Sequence, residues 1–129
     1  MSLCLCAHGF ENDLHIGYHG FLCLRYYISK SYSKKHGELY DQMTKRPFQP
    51  LSEEFIKNWN DGCDDDLDIL IWHSDCDGRL TPKECTKVKN ALAKIDINFE
   101  GREDLEKFYK DFVEMLKHCS KRRVIMYFC

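Results

Sequence analysis

"LDILIWHSDCDGRLTPKEC", residues 67–85, joins an apolar run to a turn that opens a helix, and its reading decides how the chain is organised. The run "LDILIW" is continuous enough for a buried strand. Asp64, Asp65 and Asp66 ahead of it suit the positive end of a helix, and a short helix is the expectation. Asp77-Gly78 is a turn dipeptide. Thr81-Pro82-Lys83-Glu84 then reads as a capping box with proline at the first helical position. A helix from Pro82 to about Ile95 follows, with Cys85, Val88, Leu92 and Ile95 inward.

Working outward, residues 102–119 carry the strongest helical periodicity, with Leu105, Phe108, Phe112, Met115, Leu116 and Cys119 on one face. "RVIMYFC", residues 123–129, is β-branched and aromatic and predicts a strand. At the other end "SLCLCA" alternates Leu3 and Leu5 with Cys4 and Cys6, which also predicts a strand. A Gly-rich turn at 17–20 leads into a helix near 20–35, with Gly37 marking a break before a shorter one. "KRPFQP" is bracketed by prolines and predicts a loop. Ser52 caps a helix through Trp59, with Phe55, Ile56 and Trp59 on one side. The expected fold class is α+β, predominantly α: a single helical domain over 1–129 with its N- and C-terminal strands paired.

Composition bounds the rest. With 129 residues, 43% of them hydrophobic, one domain can bury a sizeable core. A net charge of -2 gives no global reason to bind nucleic acid or an anionic membrane. Tyr26, Tyr27, Tyr32 and Tyr40 near Lys30, Lys34 and Lys35 could stack single-stranded bases. A helix with an aromatic inner face and a basic outer face accounts for them more simply. No apolar stretch is long enough to span a bilayer, and "MSLCLCAHGFENDLH" lacks the form of a secretory signal. A cytoplasmic location with reduced thiols is therefore expected, although eight cysteines would also allow a disulfide framework. No partner is named by these features; a protein partner is left open, a membrane is excluded and nucleic acid is disfavoured.

Counted from His73, the loop places Asp75 third, Asp77 fifth, Gly78 sixth, Leu80 eighth, Thr81 ninth and Glu84 twelfth. These positions match a calcium-binding EF-hand loop, in which alternate oxygens turn inward and a glutamate at position twelve closes the shell. Asp75, Asp77 and Glu84 are the candidate metal ligands. His73 breaks the pattern, because imidazole nitrogen is a poor ligand for a hard cation. The expectation is an EF-hand-like loop at 73–84 in which His73 makes a hydrogen bond instead. No cofactor is then required, and calcium occupancy is at most weak. The other reading is a well-capped turn whose carboxylates bind only backbone amides.

His73-Ser74-Asp75-Cys76-Asp77-Gly78, followed by "LTPKEC", resembles a signature of small uncharacterised bacterial and phage proteins. The resemblance extends to "GYHGFLCLR", where Gly17, Tyr18, Gly20, Phe21 and Arg25 are similar to that group's opening of a first helix. It also takes in "FVEMLKHCSKRRVIMYFC", similar to its closing helix and strand. It spans about half the chain and implies membership and element boundaries, but no reaction.

Two further constellations arise. Cys4, Cys6, His8, His15 and His19 offer ligand types suited to zinc, at a spacing that matches no common zinc module. His73, Asp75 and Cys76 could form a nucleophilic set, but neighbours in one tight loop usually point apart. The functional expectation is a small binding or regulatory module built on the 73–84 loop. The alternative is a small hydrolase or metal-dependent enzyme using His73, Asp75 and Asp77.

Overall fold

Leu3 and Leu5 turn the first residues into a strand with one apolar face, β1 (Ser2–Ala7), and that strand organises a small antiparallel sheet. The structure is a computed structural model and describes residues 2–46, 49–75 and 77–129. β1 is followed by β2 (Leu14–Gly17), α1 (Tyr18–Tyr32), α2 (Lys34–Thr44), α3 (Glu53–Asn60) and α4 (Asp65–Ile71). Then come β3 (Arg79–Leu80), α5 (Pro82–Ala93), α6 (Glu103–Arg122) and β4 (Met126–Phe128). The fold is α+β and predominantly helical, with the strands in the order β2-β1-β4-β3.

The two terminal strands pair as the sequence predicts, with Leu5 opposite Phe128 and Ala7 opposite Met126. Leu3, Leu5, Leu80, Met126 and Phe128 bury one face of the sheet among the helices. Cys4 and Cys6 alternate onto the other face and stay partly accessible. α6 supplies the largest share of the core, and all six residues expected on its apolar face are buried. It ends on Arg123 in the left-handed conformation, whose amide donates to Cys119 O, and this turn delivers the chain into β4.

"LDILIW" is helical, as expected. Asp64 accepts from the amides of Asp66 and Leu67 at the N-terminus of α4, and Leu67, Leu70 and Ile71 are buried. Ser52 caps α3 by accepting from the Phe55 amide, and Trp59 is buried. Ile56 departs from the expectation and is 45% exposed, because α3 packs through Phe55 and Trp59 while its other face meets solvent. The helix break expected at Gly37 lies instead at Ser33, which is extended and caps α2 by accepting from the His36 amide. Gly37 sits inside α2 for a packing reason. A Cβ there would stand 2.7 Å from Lys30 Cα, so the glycine lets α2 lie directly against α1. The loop expected at "KRPFQP" lies partly outside the described residues, which omit Pro47 and Phe48.

Short strands β2 and β3 are not anticipated by the sequence pattern. Leu14–Gly17 alternates too briefly to be read, and Arg79–Leu80 is only two residues long. The capping box of α5 is complete: the Glu84 amide donates to Thr81 Oγ1 at 3.2 Å, and the Thr81 amide donates to Glu84 Oε1 at 3.0 Å. Thr81→Ala is therefore expected to lower unfolding free energy by about 1 kcal/mol through loss of an N-cap acceptor. Urea denaturation measures it, and an unchanged midpoint would show that the cap does not stabilise α5.

Candidate functional site

The loop after α4 is held by its own residues and by groups drawn from two distant parts of the chain, α1 and β4. α4 stops at Trp72, and the next residue, His73, turns its ring back over the loop. His73 Nε2 lies 3.0 Å from Arg79 O and Nδ1 lies 2.8 Å from Ser74 O. A neutral imidazole donates from one nitrogen only, so the tautomer sets which carbonyl it serves. The ring packs on Phe128 with centroids 4.0 Å apart. Gly78 is needed beside it: its φ is +101°, and a Cβ there would come within 3.1 Å of the His73 ring. Gly78 O accepts from the Phe128 amide at 2.9 Å. Arg79 and Leu80 then pair with Tyr127 and Met126, which carries the loop into the sheet.

Arg25 on α1 fixes the start of the loop. Its Nη1 donates to Ile71 O at 3.1 Å and to His73 O at 2.6 Å. Its guanidinium carbon sits 4.4 Å from the centre of the Phe21 ring, and the residue is only 7% exposed. Acceptors at Nη1 and the π face of Phe21 offset part of the cost of burying this cation, while its buried Nε has no partner among the described residues. Phe21 in turn packs against Phe128. Arg25, Phe21, His73, Gly78 and Phe128 thus form one continuous support beneath the loop. Sequence reasoning sees Arg25 only as part of a resemblance; an arginine among Phe21, Leu24 and Ile28 on a buried helix face is the signal that finds its anchoring role.

The candidate ligands Asp75, Asp77 and Glu84 do not gather. Asp75 is half-buried, Asp77 is exposed, and one Glu84 oxygen is engaged by the cap of α5. Arg79 O, the position-seven carbonyl that a calcium loop directs at its ion, faces His73 Nε2 instead. Cys76, expected in one reading to be a nucleophile, lies outside the described residues.

Among the described residues, the group of three metal-ligand side chains that does assemble is Cys63, Asp65 and Asp68, whose ligand atoms lie within 4.8 Å of one another. Cys63 Sγ donates to Asp65 Oδ1 at 3.4 Å, and Asp68 Oδ1 accepts from Trp59 Nε1 at 3.0 Å. Burial first, and then the two neighbouring carboxylates, push the Cys63 thiol up to about 11. Burial also raises Asp68 above the ordinary carboxylate range. A thiol and two carboxylates are donors that zinc accepts. The rest of the acidic run is dispersed: Asp64 is spent on capping α4, and Asp61 pairs with Lys35.

The N-terminal cysteines and histidines are also separated. His15 stands opposite Cys4 in the β1–β2 ladder, His19 Nε2 lies 3.5 Å from Cys23 Sγ, and His8 contributes its carbonyl to His118. No three of the five form a ligand group among the described residues. The tyrosine row is likewise split, since Tyr40 is buried and Tyr32 donates its hydroxyl hydrogen to Gly62 O. Among the described residues, no helix is long and apolar enough to cross a membrane. Comparison with family models, curated proteins and solved structures finds no match to the chain.

Proposed function

We propose that the chain is a small binding or regulatory module presenting the 73–84 loop to a protein partner, with the loop shaped by His73 and not by a metal ion. The observation that carries this reading is the His73 Nε2–Arg79 O contact. It joins positions one and seven of the loop directly, a link that a calcium loop makes through its cation. The exposed surface around the loop suits a partner. Trp72 is 38% exposed at one end, and Tyr127, 46% exposed, lies beside the exposed Arg79 at the other. Aromatic and arginine side chains of this kind are the usual anchors of protein interfaces. Membership in the small bacterial and phage group belongs to the same proposal. Its support is that Phe21, Arg25, His73, Gly78 and Phe128, drawn from all three resembling segments, meet beneath this loop.

The enzyme reading has less support. An open groove of about 530 Å³ runs between α2 and α3 past Met43, Arg46, Leu51 and Phe55, and a second lies beside Thr81, Ser120 and Arg123. His73, Asp75 and Asp77 line neither.

Calcium titration by calorimetry tests the proposal. Wild type is expected to show no binding tighter than millimolar, and amide exchange in the loop should be the same with and without chelator. His73→Asp should bind more tightly, because it adds an oxygen ligand and a negative charge and frees Arg79 O. Sub-micromolar wild-type affinity would sink the reading. So would loss of wild-type binding on the substitution, since His73 would then be a ligand.

A further inference from the structure

Three thiols share the outer face of the sheet at its centre. β1 exposes Cys4 and Cys6 on the side opposite Leu3 and Leu5, and Cys129 follows β4 in register. The Cys4 amide donates to Cys129 O at 3.0 Å, and the Cys129 amide donates to Cys4 O at 2.9 Å. This reciprocal exchange defines a hydrogen-bonded antiparallel pair, whose Cα atoms stand about 5.5 Å apart with both side chains on one face. A disulfide requires Cα atoms roughly 4.4–6.8 Å apart. The Cα spacing meets that requirement, while the Cβ atoms of such a pair, about 4.5–5.5 Å apart, must draw together by about 1 Å for the bond to close.

The backbone register disfavours the other two pairings. Cys6 lies opposite Tyr127, so its Cα is diagonal to Cys129 at about 7–8 Å, beyond the disulfide range, and its thiol meets the Cys129 thiol only as a hydrogen-bond neighbour. Cys4 and Cys6 are two apart on one strand, with parallel Cβ vectors roughly 6.8 Å apart, well beyond the Cβ spacing of a disulfide. The two members of the favourable pair also differ. Cys129 is exposed, and its Sγ lies 3.5 Å from Cys4 O. Cys4 is half-buried, and burial together with the neighbouring Cys129 thiol holds it up at about 11.

We infer that Cys4 and Cys129 form a thiol–disulfide exchange site for small-molecule disulfides and close a cross-strand bridge between β1 and β4. Cys129, the accessible thiol, attacks as the thiolate on one sulfur of a disulfide RSSR. The Cys129–S–S–R bond forms, and RS⁻ leaves. Cys4 then loses its proton and attacks the Cys129 sulfur, which displaces the second RS⁻. The two cysteines together give up two electrons and two protons, and RSSR becomes two RSH. Cys6 stays reduced.

The test uses the full reduced chain, incubated with oxidised glutathione, quenched in acid and alkylated after unfolding. Six of the eight thiols should remain alkylatable, non-reducing peptide maps should show Cys4 joined to Cys129, and dithiothreitol should restore all eight. Cys4→Ser should trap glutathione on Cys129 as a stable mixed disulfide, with circular dichroism confirming the fold. A wild-type protein that accumulates glutathione adducts without the bridge would overturn the inference. A bridge that includes Cys6, or eight free thiols after prolonged oxidation, would do the same.

Discussion

Arg25→Met should lower unfolding free energy by about 2–4 kcal/mol, because it strands two carbonyl acceptors while nearly preserving side-chain volume. Arg25 Nη1 is a donor to both Ile71 O and His73 O, and the guanidinium also rests on Phe21. Each carbonyl left without a donor in the interior costs on the order of 1–3 kcal/mol, and the lost bonds were charge-assisted. Denaturant titration gives the loss, and amide exchange locates it. Residues 71–80 should lose protection before the α5–α6 region does. Arg25→Lys should recover only part of the stability, since an ammonium cannot keep the planar stacking on Phe21. A loss below about 1 kcal/mol would show that the carbonyls find other donors and that Arg25 does not hold the loop.

Gly37→Ala gives the second large effect, and its sign is the informative part. In a solvent-facing helix this change stabilises by about 1 kcal/mol. Here the new methyl would sit 2.7 Å from Lys30 Cα and 2.8 Å from Lys30 Cβ, so α1 and α2 must separate. Overpacking of this kind costs about 1–3 kcal/mol, and a net loss is expected. The obstacle is partly helix backbone, which cannot swing aside as the end of a long side chain can. A stabilised Gly37→Ala protein would mean that the two helices are not in van der Waals contact at this position.

Much of the fold was legible because its elements carry local signals. The period of 102–119, the box at Thr81-Pro82-Lys83-Glu84, the serine at 52 and the alternation of "SLCLCA" each predict an element that forms. The misreading at Gly37 has a physical origin: a glycine that breaks a helix and one that admits a neighbouring helix look the same in one dimension. β3 was hidden because two residues carry no period, and only pairing with β4 makes them a strand. The site was less legible than the fold. His73 is recognisable as a departure from the EF-hand pattern, but its partner, Arg79 O, is a backbone atom that any residue would supply. The Cys63–Asp65–Asp68 group depends on a turn and the first turn of α4 bringing three side chains together. Cys4 and Cys129 are separated by almost the whole sequence and meet only through strand register.

The position of β4 has a consequence for how the molecule comes into being. It lies between β1 and β3, yet among the described residues it follows both of them in the chain. Until residues 126–128 leave the ribosome, β1 and β3 have no shared neighbour, and Phe128 is not there to support the His73 ring. The nascent chain can form its helices locally, but closing the sheet must wait for a contact of very long sequence separation. The helices rest on local contacts, whereas the shaping of the 73–84 loop depends on strand pairings of much longer sequence separation.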